Sequence, residues 1–461
     1  MEQNNYQRII EWDKSLITKY NYSGPRYTSY PTALEFNTQF SSNDFEKSVN
    51  CYPEKNLSLY IHIPFCHKLC YFCGCNKIVT RQKHKVDKYL DDLELEIINH
   101  SQFFKNRHVT QLHLGGGTPT FLSDSEITRL LIILKAHFNI APHAELSIEI
   151  DPREISLSKI DHLANEGFNR LSIGIQDFDK RVQQLINREQ NEQFIVDLVN
   201  KAKKRQFKSI NLDLIYGLPT QTVDSFLYTL KKIITLSPDR LSIFNYAHLP
   251  SHFAAQRKIK ETDLPTAETK MDILQQTINT LIDANYRFIG MDHFAKSTDE
   301  LSIAQEKGQL HRNFQGYTTQ GENDLLGLGV SAISMLGNSY AQNQKDLFLY
   351  AENIKIHQHA LWKGFTMNQD DRIRRDVIKQ LICHFQLIKS EIAHQHNINF
   401  DDYFSEDLAL LKPLEKDGLI IINKDTLKVT SKGRLLIRNI CMCFDIYLRQ
   451  TTKQQQFSRV I

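Results

Sequence analysis

The chain has 461 residues, with 56 Lys and Arg against 53 Asp and Glu, a formal net charge of +3 and 41% hydrophobic residues. So close a charge balance gives no electrostatic footprint for nucleic acid or a membrane surface. No run approaches the roughly 18 apolar residues of a membrane span, and the opening residues lack the basic-then-apolar pattern of a signal peptide.

Residues 1–50 lack clear periodicity but contain Pro25, Arg26, Tyr27, Thr28, Ser29, Tyr30 and Pro31 in succession. A surface arm and a segment lying over a cavity mouth are both open readings of it. From about 57 to 290 apolar runs alternate with helical periodicity. Strands are expected at 57–63, 110–114, 145–150, 170–175, 209–215, 240–244 and 286–290, and helices over 86–98, 124–136, 191–203, 222–234 and 266–284. This alternation predicts βαβ units and a parallel sheet, curled by right-handed crossovers toward a full or partial barrel. Beyond 350 the pattern predicts helices over 372–385, 390–396 and 403–411, the last stopping before Pro413. A hairpin at 419–423 and 427–430 and a helix over 432–449 follow. That set is winged-helix-like, but fold alone does not make it a DNA-binding module; packing on the barrel is its expected role.

Residues 60–75 read YIHIPFCHKLCYFCGC, placing Cys66, Cys70 and Cys73 in C-x3-C-x2-C spacing directly after the first strand. Three thiolates can hold three irons of a 4Fe–4S cubane and leave the fourth iron open, whereas such clusters normally take four. A zinc site drawing on Cys66, Cys70, Cys73 and Cys75, or on His62 and His67, is the competing reading. Four of the 8 cysteines fall within 66–75. That crowding is unlike a secreted disulfide framework and points to a reducing cytoplasm.

Several strands carry polar residues at one parity: Tyr60 and His62, then Ser147, Glu149 and Asp151, then Ser172, Gly174 and Gln176, then Asn211 and Asp213. Alternate residues share a face, so the series predicts a wet, ligand-filled interior. Gly115, Gly116, Gly117, Thr118 and Pro119 follow the second strand. Their glycines allow close backbone approach, and their N–H groups could bind a carboxylate. Arg188 could fork onto a carboxylate or sit as a solvated helix-end charge. Gly327 and Gly329 suggest a second glycine turn.

The cysteine run, GGGTP after the next strand and the polar strand ends together resemble the radical S-adenosylmethionine superfamily. Within it the chain is similar, end to end, to the oxygen-independent coproporphyrinogen III oxidases. The likeness includes PRYTSYP at 25–31, EIDPRE at 149–154, FNYAHLP at 244–250, HRNFQGY at 311–317 and RNICMCF at 438–444. It implies an α/β fold: a partial (βα)6-type radical SAM barrel over 51–350, extended after about 285. An N-terminal segment, 1–50, would cover the active site, and 351–461 would form a mainly helical, winged-helix-like domain.

The resemblance implies that Cys66, Cys70 and Cys73 ligate the cluster and that Cys75 does not. It implies two S-adenosylmethionines, at positions matching Tyr60, Phe72, Gly116, Gly117, Thr118, Glu149, Gln176, Arg188, Asp213, Ala247 and Ile333. Tyr60 and His62 are the candidate catalytic pair, and Arg26 is a candidate for the substrate's propionates. The implied reaction converts two propionates of coproporphyrinogen III to vinyl groups through a 5′-deoxyadenosyl radical, in haem biosynthesis. A cytoplasmic monomer, served by an electron donor and an acceptor, is expected. A related haem chaperone of the same fold, a zinc-binding regulator and a radical enzyme acting on another tetrapyrrole are the alternatives.

Overall fold

A computed structural model describes residues 10–450 together with 457 and 459. Residues 1–9 of the expected N-terminal segment, and most of those after 450, lie outside the described residues. The chain divides into two compact units that interleave along it: Phe36–Thr280 with Glu322–Thr366, and the residues up to Glu35 with Leu281–Gly321 and those from Met367 onward. The sequence predicts consecutive segments divided at 50 and 350.

The larger unit is built on β1 (Leu57–Ile63), β2 (His108–Gly116), β3 (Asn139–Ile150), β4 (Arg170–Gln176), β5 (Ser209–Tyr216) and β6 (Arg240–Asn245). These lie side by side in chain order and pair in parallel throughout. Between them run α1 (His84–Ser101), α2 (Asp124–His137), α3 (Leu157–Glu166), α4 (Lys180–Leu185), α5 (Glu192–Lys204) and α6 (Val223–Leu236). Local chemistry sets the helix ends. Ser123 and Glu126 form a capping box for α2, Thr222 and Ser225 one for α6, and Gly167 ends α3 with φ 101°. In β1, Leu57, Leu59, Ile61 and Ile63 are all fully buried. Each contributes about 1.5–3 kcal/mol of apolar burial and leaves Tyr60 and His62 on the opposite face.

β3 starts six residues earlier than expected. Its first residues pair with His108 and Val109, and then the register shifts before Glu145 meets Gln111. Pro142 falls in that irregular stretch, where no ladder hydrogen bond is needed. On the other side of β1 the unit gains strands that the sequence reading lacked. β7 (Asp324–Leu328) runs parallel to β1, followed by antiparallel β8 (Ile333–Leu336), β9 (Ser339–Asn343) and β10 (Leu361–Thr366). Gly327 is therefore a strand residue opposite Tyr60, and only Gly329, with φ 96°, makes the turn. A Cβ on Gly327 would stand 2.6 Å from the Ile333 carbonyl oxygen, so two backbones meet there without a side chain between them.

The other unit contains the hairpins Tyr286–Gly290 with His293–Lys296 and His311–Asn313 with Gly316–Thr318. It also holds helices Gln369–His384, Lys389–His396, Phe400–Tyr403 and Ser405–Lys416, around a small sheet ordered Gln386–Ile388, Thr426–Val429, Ile420–Ile422. Two expectations fail here. Pro413 lies inside helix Ser405–Lys416; being in the last turn, it removes one late N–H without unravelling the turns before it. The single helix over 432–449 is instead two short ones, Ile437–Met442 and Ile446–Gln450. Asp445 interrupts them: its carboxylate takes the Tyr447 and Leu448 N–H groups and the Tyr27 hydroxyl. The 25–31 segment belongs to this unit. Arg438 Nε donates to the Pro25 carbonyl at 2.9 Å, and Arg26 Nη1 to Asp292 Oδ2 at 2.7 Å.

Candidate active site at the strand ends

The chain leaves β1 at Ile63 and turns through the cysteine loop. The loop returns as Ile78–Val79, which pairs in parallel with Phe65–Cys66. Cys66 and Cys70 are buried, Cys73 is partly buried and Cys75 is exposed. Each of the first three sulfurs accepts a hydrogen bond. Thr118 Oγ1 donates to Cys66 Sγ at 3.4 Å. Arg153 Nη2 and Arg188 Nη1 donate to Cys70 Sγ at 3.2 and 3.3 Å. The Cys75 N–H donates to Cys73 Sγ at 3.4 Å. Hydrogen bonding from Cys75, helped by Lys77, holds the Cys73 thiol below its ordinary value against burial. Burial pushes the Cys66 thiol up to about 11.

Donors aimed at sulfur suit thiolates that carry a cluster. Among the described residues no three His, Cys, Asp or Glu side chains gather as a single-ion site would need. A cubane makes a different demand, because its thiolates sit on separate irons. The residues present fit that group.

Asp151, at the end of β3, neutralises the two arginines. Arg153 grips it through Nε and Nη2, the latter at 2.6 Å, and Arg188 Nη1 reaches it at 3.2 Å. Burial pushes its pKa up, but Arg188 and Arg153 outweigh burial and hold it at about 2. Arg188 is 6% exposed and also donates to the Gly174 carbonyl at 2.6 Å, which excludes the solvated helix-end reading.

The glycine turn is set by tight approach. Gly116 has φ 113°, and a Cβ there would meet the His62 ring at 2.6 Å. Its N–H donates to Glu149 Oε2 at 3.2 Å, while the Gly117 N–H donates to the Ile63 carbonyl. Two of the backbone donors expected to face a ligand carboxylate, the Gly116 and Gly117 N–H groups, are thus engaged within the chain. His62 is satisfied at both nitrogens, with Nδ1 3.1 Å from the Tyr60 hydroxyl and Nε2 3.0 Å from the Asn76 carbonyl. The carbonyl requires Nε2–H, so Nδ1 accepts from Tyr60. Burial lowers the His62 pKa and keeps the ring neutral.

Sequence reasoning missed four residues. His113 on β2 stacks on Tyr60 with ring centroids 5.9 Å apart, and joins Ser147 Oγ at 2.5 Å and Glu149 Oε1 at 3.3 Å. Its parity in β2 was the available signal, since the register sets it between Tyr60 and Ser147. Asp151 is expected only as one of the polar strand-end residues, without its arginine partners, and Arg153 only as part of a motif. Gln256, 2% exposed, donates through Nε2 to both the Phe72 carbonyl (3.0 Å) and the Ala247 carbonyl (3.2 Å). No local pattern marks it.

Asp213 receives hydrogen bonds from Ser172 Oγ at 3.0 Å and Asn211 Nδ2 at 2.8 Å. Burial, then the Glu149 charge, raises its pKa to about 6. Gln176 ends β4 with φ 67° and 8% exposure. Ile333 opens β8, paired with Gln342. Behind β1, the Tyr89 hydroxyl donates to the His62 carbonyl at 2.5 Å and accepts from the Val330 N–H at 3.2 Å. Glu96 accepts from the Gly329 N–H, Asn343 and Tyr350 at 2.7, 2.6 and 2.7 Å.

Comparison with known proteins places this arrangement. The Radical SAM superfamily model matches residues 60–233, and the HemN C-terminal domain model matches 367–436. The oxygen-independent coproporphyrinogen III oxidase of Salmonella typhimurium is 62% identical over 455 residues, covering 99% of this chain and 100% of that protein. The chain belongs to the oxygen-independent coproporphyrinogen III oxidase family. Its similarity to the family member from Pseudomonas aeruginosa is 48% over 458 residues, 98% of this chain and 99% of that one. The solved structure of the Escherichia coli oxidase (HemN), described as a radical SAM enzyme, superposes with TM-score 0.93 at 60% identity, over 95% of this chain and 100% of that one. Membership of this oxidase family implies a 4Fe–4S cluster and S-adenosylmethionine. These relatives bear the oxidase name, so the haem-chaperone alternative is set aside.

Proposed function

We propose that the chain carries out the oxygen-independent oxidative decarboxylation of two coproporphyrinogen III propionates to vinyl groups, each losing a hydrogen atom to the 5′-deoxyadenosyl radical, carbon dioxide, and one electron to an acceptor, giving protoporphyrinogen IX. The observation that carries the reading is the near-full-length likeness to the oxidases, joined to three sulfur atoms that each accept a hydrogen bond at the strand ends. Cys66, Cys70 and Cys73 would hold the cluster. When bound, cluster and S-adenosylmethionine together supply the 5′-deoxyadenosyl radical.

The chain's own groups do the positioning. Glu149, oriented by Gly116 and His113, and the polar set around Asp213 present acceptors for ammonium and ribose hydroxyl groups. His62, neutral and doubly hydrogen-bonded, aims the Tyr60 hydroxyl rather than carrying a proton. Gln256 ties the backbones at Phe72 and Ala247, two of the cofactor-matched positions, to one side chain. Two S-adenosylmethionines per site, a monomeric state, a cytoplasmic location and a covering role for the N-terminal segment follow from the resemblance. Among the described residues no helix is long and apolar enough to cross a membrane.

The test is anaerobic product analysis with reconstituted protein, coproporphyrinogen III, S-adenosylmethionine and a reductant. Protoporphyrinogen IX is expected. Haem binding without turnover would overturn the proposal.

A further inference from the structure

The unit that contains the 311–318 hairpin gathers several arginines around one carboxylate. Arg438 is 2% exposed, and its guanidinium donates to the carbonyl oxygens of Pro25, Arg459 and Gly24. Burial, and after it the Arg26 charge, lower its pKa to about 10; Arg312 pushes the same way, and Asp292 opposes. Arg26, Arg312, Arg438 and Asp292 therefore share one electrostatic neighbourhood. Asp292 is already paired with Arg26 at 2.7 Å.

Arg312 is the unspent member. It sits on strand His311–Asn313, opposite Tyr317, and its guanidinium lies over the Tyr317 ring at 4.6 Å. The ring attracts the guanidinium, and the Tyr317 hydroxyl donates to the Ile382 carbonyl at 3.2 Å. Arg312 Nε and Nη1 are buried and have no hydrogen-bond partner. Burying such donors beside two like charges is costly unless a counter-charge arrives. Nε and Nη1 lie on different edges of the guanidinium, so a carboxylate fork would span Nε with Nη2 or Nη1 with Nη2, and either edge offers it one of these free donors.

We propose that Arg312, backed by the charges of Arg26 and Arg438, is a carboxylate-binding site that takes a propionate of the substrate. This rests on the reading of the substrate as a tetracarboxylate. The chemistry recognised is an ionised carboxylate on a tetrapyrrole, and the supporting arginines raise its local affinity without touching it.

The experiment titrates the full chain with coproporphyrin III, the air-stable tetra-acid, and with its tetramethyl ester, following porphyrin fluorescence. The natural chain should bind the acid and not the ester. Arg312→Gln should weaken binding of the acid about tenfold, as expected for a lost charged hydrogen bond. Arg312→Lys, which keeps the charge and loses the fork, should fall between. Because Arg312→Gln removes a buried charge whose Nε and Nη1 have no hydrogen-bond partner, which offsets the lost contact with the Tyr317 ring, the thermal midpoint of the free Arg312→Gln chain should not drop. A natural chain that binds neither ligand would overturn the substrate reading and this assignment with it. Acid binding that is equal in the natural chain and Arg312→Gln would overturn this assignment alone, as would a lowered midpoint that accounts for the lost affinity.

Discussion

Arg153 Nη2 stands 3.2 Å from Cys70 Sγ, while Nη2 and Nε of the same guanidinium clamp Asp151. A positive donor is therefore held against one of the three loop sulfurs by a carboxylate that Arg188 and Arg153 keep ionised against burial. Hydrogen bonds to sulfur and local charge set the potentials of iron–sulfur clusters. Arg153→Gln should lower the midpoint potential of the reconstituted cluster. If the bond is worth about 1.5 kcal/mol, the shift is roughly 60 mV for one electron. A redox titration followed by electron paramagnetic resonance checks this, and an unchanged potential would show that the contact has no electronic role.

Cys75 is the cysteine to remove without loss. It is exposed and reaches Cys73 through its N–H and its side chain, and serine keeps a donor at both places. Cys75→Ser should keep iron and brown absorbance after reconstitution, whereas serine at Cys66, Cys70 or Cys73 should abolish both. Loss of iron from Cys75→Ser would make it a ligand.

His113 orients Glu149 and packs on Tyr60. His113→Ala should raise the dissociation constant for S-adenosylmethionine by roughly five- to tenfold, the worth of one oriented hydrogen bond. Calorimetric titration measures it, and an affinity equal to the natural chain's would remove His113 from the site.

Glu96 makes stability depend on pH. Burial pushes its carboxyl up to about 7 from an ordinary 4.5. Between these values the folded chain binds more protons than the unfolded one, so stability falls as pH rises from 4.5 to 7, by on the order of 3 kcal/mol for this group. His100, lowered by burial to about 4 from 6.5, has the opposite sign and adds stability as pH rises through 4 to 6.5. Glu96→Gln removes the first contribution and leaves the second. The difference between the unfolding free energies of the two proteins should grow with pH across 4.5–7 in favour of the variant. A difference that stays flat with pH would mean that Glu96 does not titrate there.

The parallel strands were legible because β1 to β6 are apolar runs with one polar parity, and both faces leave a mark on the sequence. The strands β7 to β10 were not. They are short, and their identity depends on β1 being there to pair with. Tyr60, Glu149 and Asp213 stood out as polar residues at strand ends, while Arg188 could be read either way until Asp151 and Cys70 were seen beside it. Gln256 was invisible because its partners are carbonyl oxygens 184 and 9 residues away. Helix 432–449 failed for a tertiary reason, since Asp445 answers Tyr27 from the far end of the chain.

The Gln256 bridge moves the demand for a particular amino acid away from the place where it is felt. Phe72 and Ala247 offer only carbonyl oxygens to it, which every residue possesses. Position 247 is thereby free to vary in side chain as far as this bridge is concerned, whereas position 256 must keep a primary amide, because an acid there would turn two attractive contacts into repulsion between oxygens. The record of descent should therefore show the constraint nine residues downstream of the loop it serves.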